Sequence, residues 1–281
     1  MILFFAALTG MLAARLGWLT LRPALSQAPF LRVNYRGRTV PTAGGIILAM
    51  AVLVVEAGRV VLSAAGVGDP QSLSGARLAV VLAVVGLALV GLADDLVGDR
   101  SDDRGFRGHV RALAKGRLTT GGAKIVGGAA VAAVAVAMAT SPRSLGRLLA
   151  DAAVVALAAN LGNLLDRAPG RAGKTGLVAF VVLALITRGS RSLSEVAVLA
   201  GATAGLLLDD LHERVMLGDT GSNALGAALG LGIVLTASPT ARLVALGVLV
   251  LANLASELVS FSEVIERTPP LRALDGIGRR P

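Results

Sequence analysis

The chain has 281 residues, of which 54% are hydrophobic and only 16% charged, with a formal net charge of +9. Soluble domains carry about a quarter charged residues, so this composition excludes an ordinary soluble globular protein. The absence of cysteine excludes disulfides, thiolate metal sites and a Cys nucleophile, and two histidines leave little imidazole chemistry.

The apolar residues come in blocks almost free of charge, such as Ala79–Ala93, Ile125–Ala139, Ala152–Leu161 and Leu243–Leu254. Helices apolar on every side belong in lipid or deep in a bundle, and spanning takes about 20 residues. The expected fold class is all-α, a polytopic transmembrane bundle. Nine spans are predicted, at about 1–21, 41–58, 76–93, 121–140, 147–165, 174–187, 193–208, 222–237 and 242–260. The first is read as a retained helix, because its start lacks positive charge and no small-residue cleavage site follows. Residues 1–260 form the bundle and 261–281 a cytoplasmic tail, at most a short interfacial segment.

Most of the 27 Lys and Arg fall in loops 22–40, 94–124, 166–174 and 209–221 and in the tail, with few in the alternate loops. The positive-inside rule then places those loops and the C-terminus in the cytoplasm, with the N-terminus outside. The net charge is accordingly read as orienting loop charge and not as a nucleic-acid surface.

Polar groups gather at the predicted cytoplasmic helix ends. Val40-Pro41-Thr42-Ala43-Gly44-Gly45 opens the second span. Pro41 at a helix start and Thr42 as cap suffice structurally, while Gly44 and Gly45 admit a neighbouring helix or a ligand. Asp94 and Asp95 close the third span. A carboxylate at the bilayer centre costs about 2.5–3.5 kcal/mol, so the pair belongs at the membrane face. There it suits a metal, a base held near one, or a solvated helix end. The following loop is basic (Arg104, Arg107, His109, Arg111, Lys115, Arg117), which suits anionic headgroups. Lys124 borders the fourth span and is the preferred phosphate contact.

Asn160, Asn163 and Asp166 recur every three residues along one face of the fifth span. Such a stripe lines a cavity or makes interhelical hydrogen bonds. Gly218-Asp219-Thr220-Gly221-Ser222 opens the eighth span. Glycines and free amides at a helix N-terminus favour phosphate; equally, Thr220 or Ser222 could cap the helix with Asp219 complementing its dipole. Together Asp94, Asp95, Asp166 and Asp219, ringed by cations, are the hard oxygen donors that Mg²⁺ takes with water and phosphate.

In this order, Pro41–Gly45, Gly91–Asp95, the Asn160/Asn163/Asp166 stripe and Gly218–Ser222 resemble the polyprenyl-phosphate N-acetylhexosamine-1-phosphate transferase family over about residues 30–230. The resemblance implies a helical bundle in the inner (plasma) membrane with a cytoplasmic Mg²⁺ site. There a polyprenyl phosphate attacks a UDP-sugar and UMP leaves, in the service of cell-wall biogenesis. It implies Asp219 and Asp166 as metal ligands, with Asp94, Asp95 and Asp166 as catalytic carboxylates. Asn160, Asn163, Lys124, Thr42, Gly44, Gly45, Gly221 and Ser222 become substrate contacts. The expected partners are the lipid phosphate, the nucleotide-sugar donor and the membrane, with no nucleic acid and a homodimer left open.

The chain departs from the pattern at Arg167-Ala168-Pro169, where the family carries a second Asp, and at Met216, often aromatic in the family. It also departs at Ser260–Pro281, which replaces a histidine-rich loop. The alternative reading is therefore a non-catalytic relative that binds polyprenyl phosphate or a lipid-linked envelope precursor.

Overall fold

The computed structural model describes residues 1–68, 74–97, 120–141 and 144–280. Nine long helices follow the expected order: α1 (Ile2–Leu25), α2 (Gly45–Ala64), α3 (Gly75–Val97), α4 (Thr120–Thr140), α5 (Leu145–Leu165), α6 (Arg171–Ile186), α7 (Ser194–Leu211), α8 (Gly218–Thr236) and α9 (Pro239–Leu258). The tail adds two short helices, α10 (Phe261–Arg267) and α11 (Pro269–Gly276). Among the described residues seven helical segments are long and apolar enough to cross a membrane. The other two expected spans are α6, only 16 residues long, and α8, whose first turns Gly-Asp-Thr-Gly-Ser-Asn are polar. This is a polytopic membrane bundle.

The arrangement follows from side-chain size. α8 stands in the middle, packed by α3 on one side and α5 on the other, while α1 lies along α7. Apolar side chains around the rim, among them Phe4, Leu16, Val54, Leu89, Val178 and Leu251, are exposed, as a lipid-facing surface requires. Inside, helices approach until backbones touch. A Cβ on Gly201 would stand 1.8 Å from the Ala7 carbonyl oxygen, and one on Gly10 would stand 2.0 Å from that of Val198. α9 is peripheral: only Leu249 is buried, and the helix leans on α5.

The two ends of the bundle differ. At one, buried Glu56 and Glu195 are held by Arg59 and Arg77. Arg77 reaches Glu56 at 2.9 and 3.0 Å and Glu195 at 3.1 Å, and Arg59 bridges both carboxylates. Buried charges need such pairing, and this network locks α2, α3 and α7 together. The other end gathers segments 28–44, 94–97, 166–171, 209–218 and 271–280, which carry the sequence motifs.

Here two expectations shift. Residues 31–41, expected as loop running into a helix, form an antiparallel hairpin, β1 (Leu31–Val33) and β2 (Thr39–Pro41), with Leu31 opposite Pro41. Pro41 therefore ends a strand instead of starting a helix, and its carbonyl accepts from the Met216 N–H at 2.8 Å. Ala43 takes a positive φ of 58°, so α2 begins at Gly45 and Thr42 does not cap it. α3 runs past Ala93 through Asp94 and Asp95, and α8 starts at Gly218, four residues before the predicted boundary at 222.

Replacing Gly201 with Ala should cost about 1–3 kcal/mol, since overpacking forces backbones apart. It should lower the unfolding midpoint in detergent. Gly247→Ala, where nothing lies within 4 Å of the new Cβ, should leave that midpoint unchanged.

Candidate active site

Asp95 organises this end. Its Oδ1 accepts from the Asp219 N–H at 3.0 Å, and its Oδ2 accepts from the Thr220 N–H at 3.0 Å and the Thr220 hydroxyl at 2.6 Å. A helix N-terminus leaves its first amides unpaired; those of α8 are paired by a carboxylate from α3, not by its own Thr220 or Ser222. Ser222 donates instead to the Gly218 carbonyl at 2.9 Å. Gly218 has φ +67°, and a Cβ there would stand 2.5 Å from Asp95 Oδ2 and 2.9 Å from Thr42 Oγ1. Arg32 fixes the other side of the junction, donating to the carbonyls of Asp95 (2.8 Å) and Leu96 (3.0 Å).

With Asp95 turned to α8, Asp94 on the same last turn faces Lys124 of α4 at 3.3 Å. Lys124 also forms an ion pair with Asp219. Asp94 and Asp219 therefore share one ammonium, with Asn163 of α5 near Asp219. These side chains are partly exposed, Lys124 by 21%, Asp94 by 29% and Asp219 by 24%, so the cluster is open to an incoming ligand. Asp166 lies just past α5, half-buried and near Gly218. Burial and the neighbouring Asp210, Asp219 and Asp95 carboxylates raise its pKa well above the usual carboxylate range.

The structure thus brings Asp94, Lys124, Asn163, Asp166 and Asp219 together, with Asp95 behind them. Asn160 is elsewhere: its amide donates to Asn253 of α9 at 2.6 Å, an interhelical bond. Gly44 and Gly45 donate their N–H groups to Met216 (2.9 Å) and Leu217 (3.0 Å). A Cβ on Gly45 would meet the Gly221 nitrogen at 2.0 Å, so Gly45 and Gly221 form a backbone crossing that seats α8. Thr42 is buried beside Gly218. Arg104, Arg107, His109, Arg111, Lys115 and Arg117 lie outside the described residues.

Sequence reading missed Asp210, buried at the end of α7, which accepts from the Gly170 N–H at 3.1 Å. Its signal was a second acidic pair, Asp209-Asp210, closing an apolar run as Asp94-Asp95 does. Asp209 itself is neutralised by Arg15 and Arg214.

Among the described residues no three carboxylate or imidazole groups close round one point. Asp94 and Asp219, with the Asn163 amide, remain as oxygen donors. Mg²⁺ is commonly held by one or two carboxylates, with water and phosphate completing its shell. The donor set fits such an ion, with the Lys124 ammonium standing between the same two carboxylates.

The tail folds back beside this site. Asp275 takes a two-point contact from Arg171 (2.9 and 2.8 Å) and a third from Arg279 (2.7 Å). Arg279 also donates to the Pro169 carbonyl at 2.9 Å. Lys174 donates to the carbonyls of Leu274, Asp275 and Ile277. Burial alone would raise the Asp275 pKa, but the Arg171 and Arg279 guanidiniums hold it below the usual carboxylate range.

The fold and cluster define a polytopic membrane protein with a carboxylate–lysine site at one mouth of the bundle. The family model described as glycosyl transferase family 4 matches residues 77–237, over half of the chain, and the chain belongs to that family. The match contains every member of the cluster and stops short of the tail. Three similar curated proteins are each named phospho-N-acetylmuramoyl-pentapeptide-transferase. That of Deinococcus radiodurans is 30% identical over 193 residues, 66% of this chain and 59% of the relative. That of Desulforamulus reducens is 36% identical over 105 residues, 36% of this chain and 31% of the relative. That of Thermosynechococcus vestitus is 44% identical over 77 residues, 26% of this chain and 20% of the relative. The chain covers less than two thirds of each.

Asp95→Ala should destabilise the protein by about 2 kcal/mol, the upper range for a lost helix cap, read as a lower unfolding midpoint. Asp95→Asn should fall between it and the wild type. A depressed carboxylate pKa stabilises the docked tail above its unfolded value and loses that contribution as pH falls through the folded value. The tail should therefore be held at neutral pH and loosen below about pH 4. Since the chain has no cysteine, a spin label on A273C should report sharply increased mobility across that range.

Proposed function

We propose that the protein transfers a sugar-1-phosphate from a UDP-sugar to a polyprenyl phosphate at the cytoplasmic face of the plasma membrane, releasing UMP, with Mg²⁺ as cofactor. The observation carrying this reading is the convergence of Lys124, Asp94, Asp219 and Asn163 from four helices at one open mouth of a membrane bundle. Family membership and the names of the similar proteins support it. So does the gathering of the basic loops at this end, which the positive-inside rule assigns to the cytoplasm.

In the reaction an oxygen of the lipid phosphate bonds to the sugar-bearing phosphorus, and the bond from that phosphorus to the bridging oxygen breaks. UMP leaves with the electron pair. Such transfer depends mainly on positioning and charge neutralisation. Asp219 and Asp94 would hold Mg²⁺, which when bound supplies a Lewis acid for the donor's phosphates. Lys124, beside both carboxylates, would pair with phosphate oxygens. Asn163 stands near Asp219, and Asp95 fixes the first turn of α8 that carries Asp219.

The non-catalytic reading, a binder of polyprenyl phosphate or of a lipid-linked precursor, is favoured by one observation. Pro169 stands where the family has a second carboxylate. The two separate in an assay. Purified protein with Mg²⁺, undecaprenyl phosphate and a panel of UDP-sugars should release UMP and stop when the metal is chelated. Asp219→Asn, Asp94→Asn and Lys124→Ala should each lower turnover by about 10²–10³, the scale for losing one transition-state electrostatic contact. Should no donor yield UMP while Asp219→Asn still supports function in cells, the transfer reading fails and the binding reading stands.

A further inference from the structure

Arg167, Arg272 and Arg280 share one cavity of about 340 Å³ formed by the hairpin tip, the 166–171 turn and the folded-back tail. Six arginines border it against two carboxylates, Asp275 and Glu266. Most of that charge is not internally balanced. Asp275 is engaged by Arg171 and Arg279, and Arg36 is paired with Glu213 at 3.3 Å. Among the described residues the guanidiniums of Arg167, Arg272 and Arg280 have no carboxylate, and only Glu266 remains to offset the three.

Guanidiniums gathered in a recess repel one another unless something holds them. Here the Asp275 clamp and the three carbonyls gripped by Lys174 fix the tail in place, at the positions that close the recess. Planar guanidiniums with free donors match phosphate and carboxylate oxygens two at a time. A surface meant only for headgroup attraction needs no walls; this one has three. It also adjoins the carboxylate cluster, because Arg167 follows directly on Asp166. Its tail residues lie beyond the family match at 77–237, so it belongs to this chain's own C-terminus.

We propose that this arginine cavity binds phosphate or carboxylate groups of a soluble, multiply anionic ligand. On the transferase reading above, on which this assignment rests, that ligand is the donor. Its reacting phosphates lie by Lys124 and its remote anionic groups lie in the cavity. Arg167 then serves as the wall shared by the two.

The test uses the full chain in nanodiscs of neutral lipid, with inorganic pyrophosphate as probe and no Mg²⁺, read by calorimetry. Pyrophosphate should bind, and R272Q/R280Q should weaken it about tenfold or more, the equivalent of one or two charge-assisted hydrogen bonds. R272K/R280K should recover part of the loss. Both arginines are exposed, and an unchanged unfolding midpoint checks that the double variant is folded. Equal binding by wild type and R272Q/R280Q overturns the site. A second arm adds phosphatidylglycerol to the nanodiscs. Persistent pyrophosphate binding supports a soluble ligand, whereas its abolition makes the lipid headgroup the occupant and overturns the donor assignment. UMP release plays no part in these readings, so failure of the transferase reading and failure of the cavity are distinguishable.

Discussion

Asp95 sits on the last turn of α3 and accepts three hydrogen bonds from the first turn of α8. That junction holds two helices in register where their backbones nearly touch. A Cβ on Gly91, one turn below, would stand 2.3 Å from the Asp219 carbonyl oxygen. Charge at a helix N-terminus and contact between backbones thus act at the same place, and neither tolerates a shift of one residue. Because Asp95 and Asp94 are neighbours on a helix, roughly 100° apart at 3.6 residues per turn, pointing one at α8 turns the other toward α4. The open carboxylate of the site is therefore a geometric consequence of the capping one.

The charges at this mouth follow from that arrangement. Asp94 and Asp219 share the Lys124 ammonium. The Asp166 pKa is raised, first by burial and then by the Asp210, Asp219 and Asp95 carboxylates. The opposite end of the bundle differs: Glu56 and Glu195 are matched by Arg59 and Arg77, a closed set of charges with nothing left to recruit. At one end the carboxylates are matched by arginines, while at the other Asp94 and Asp219 share a single lysine.

Much of this was legible in the sequence, for identifiable reasons. Apolar blocks gave the nine helices because a lipid-facing helix must be apolar all round. The motifs fell at one end because Asp and Asn are tolerated there and not at mid-membrane. What escaped depended on partners distant in the chain. Nothing near Asp95 says that it caps a helix 124 residues on, so the carboxylates looked equivalent and α8 was started late. The three-residue strands at 31–33 and 39–41 are too short for alternation to show. Asn160 shared the helical face of Asn163 but found Asn253, whose position on α9 no local pattern discloses. Asp210 hid in a segment read as loop.

Arg167 shows the same limit from the other direction. Considered alone, it belongs to a turn that has lost the family's second carboxylate at Pro169, a mark against turnover. In the fold it stands between the carboxylate cluster and a cavity whose other arginines come from residues 272–280, brought there by Asp275 and Lys174. The two departures from the family pattern, the 167–169 turn and the tail, are therefore in contact and share one electrostatic sense. Together, Arg167 of the turn and Arg272 and Arg280 of the tail define a single positively charged wall. Because the Arg279 guanidinium donates to the Pro169 carbonyl and Lys174 grips the last carbonyls of the tail, a change in either segment alters the wall that both form.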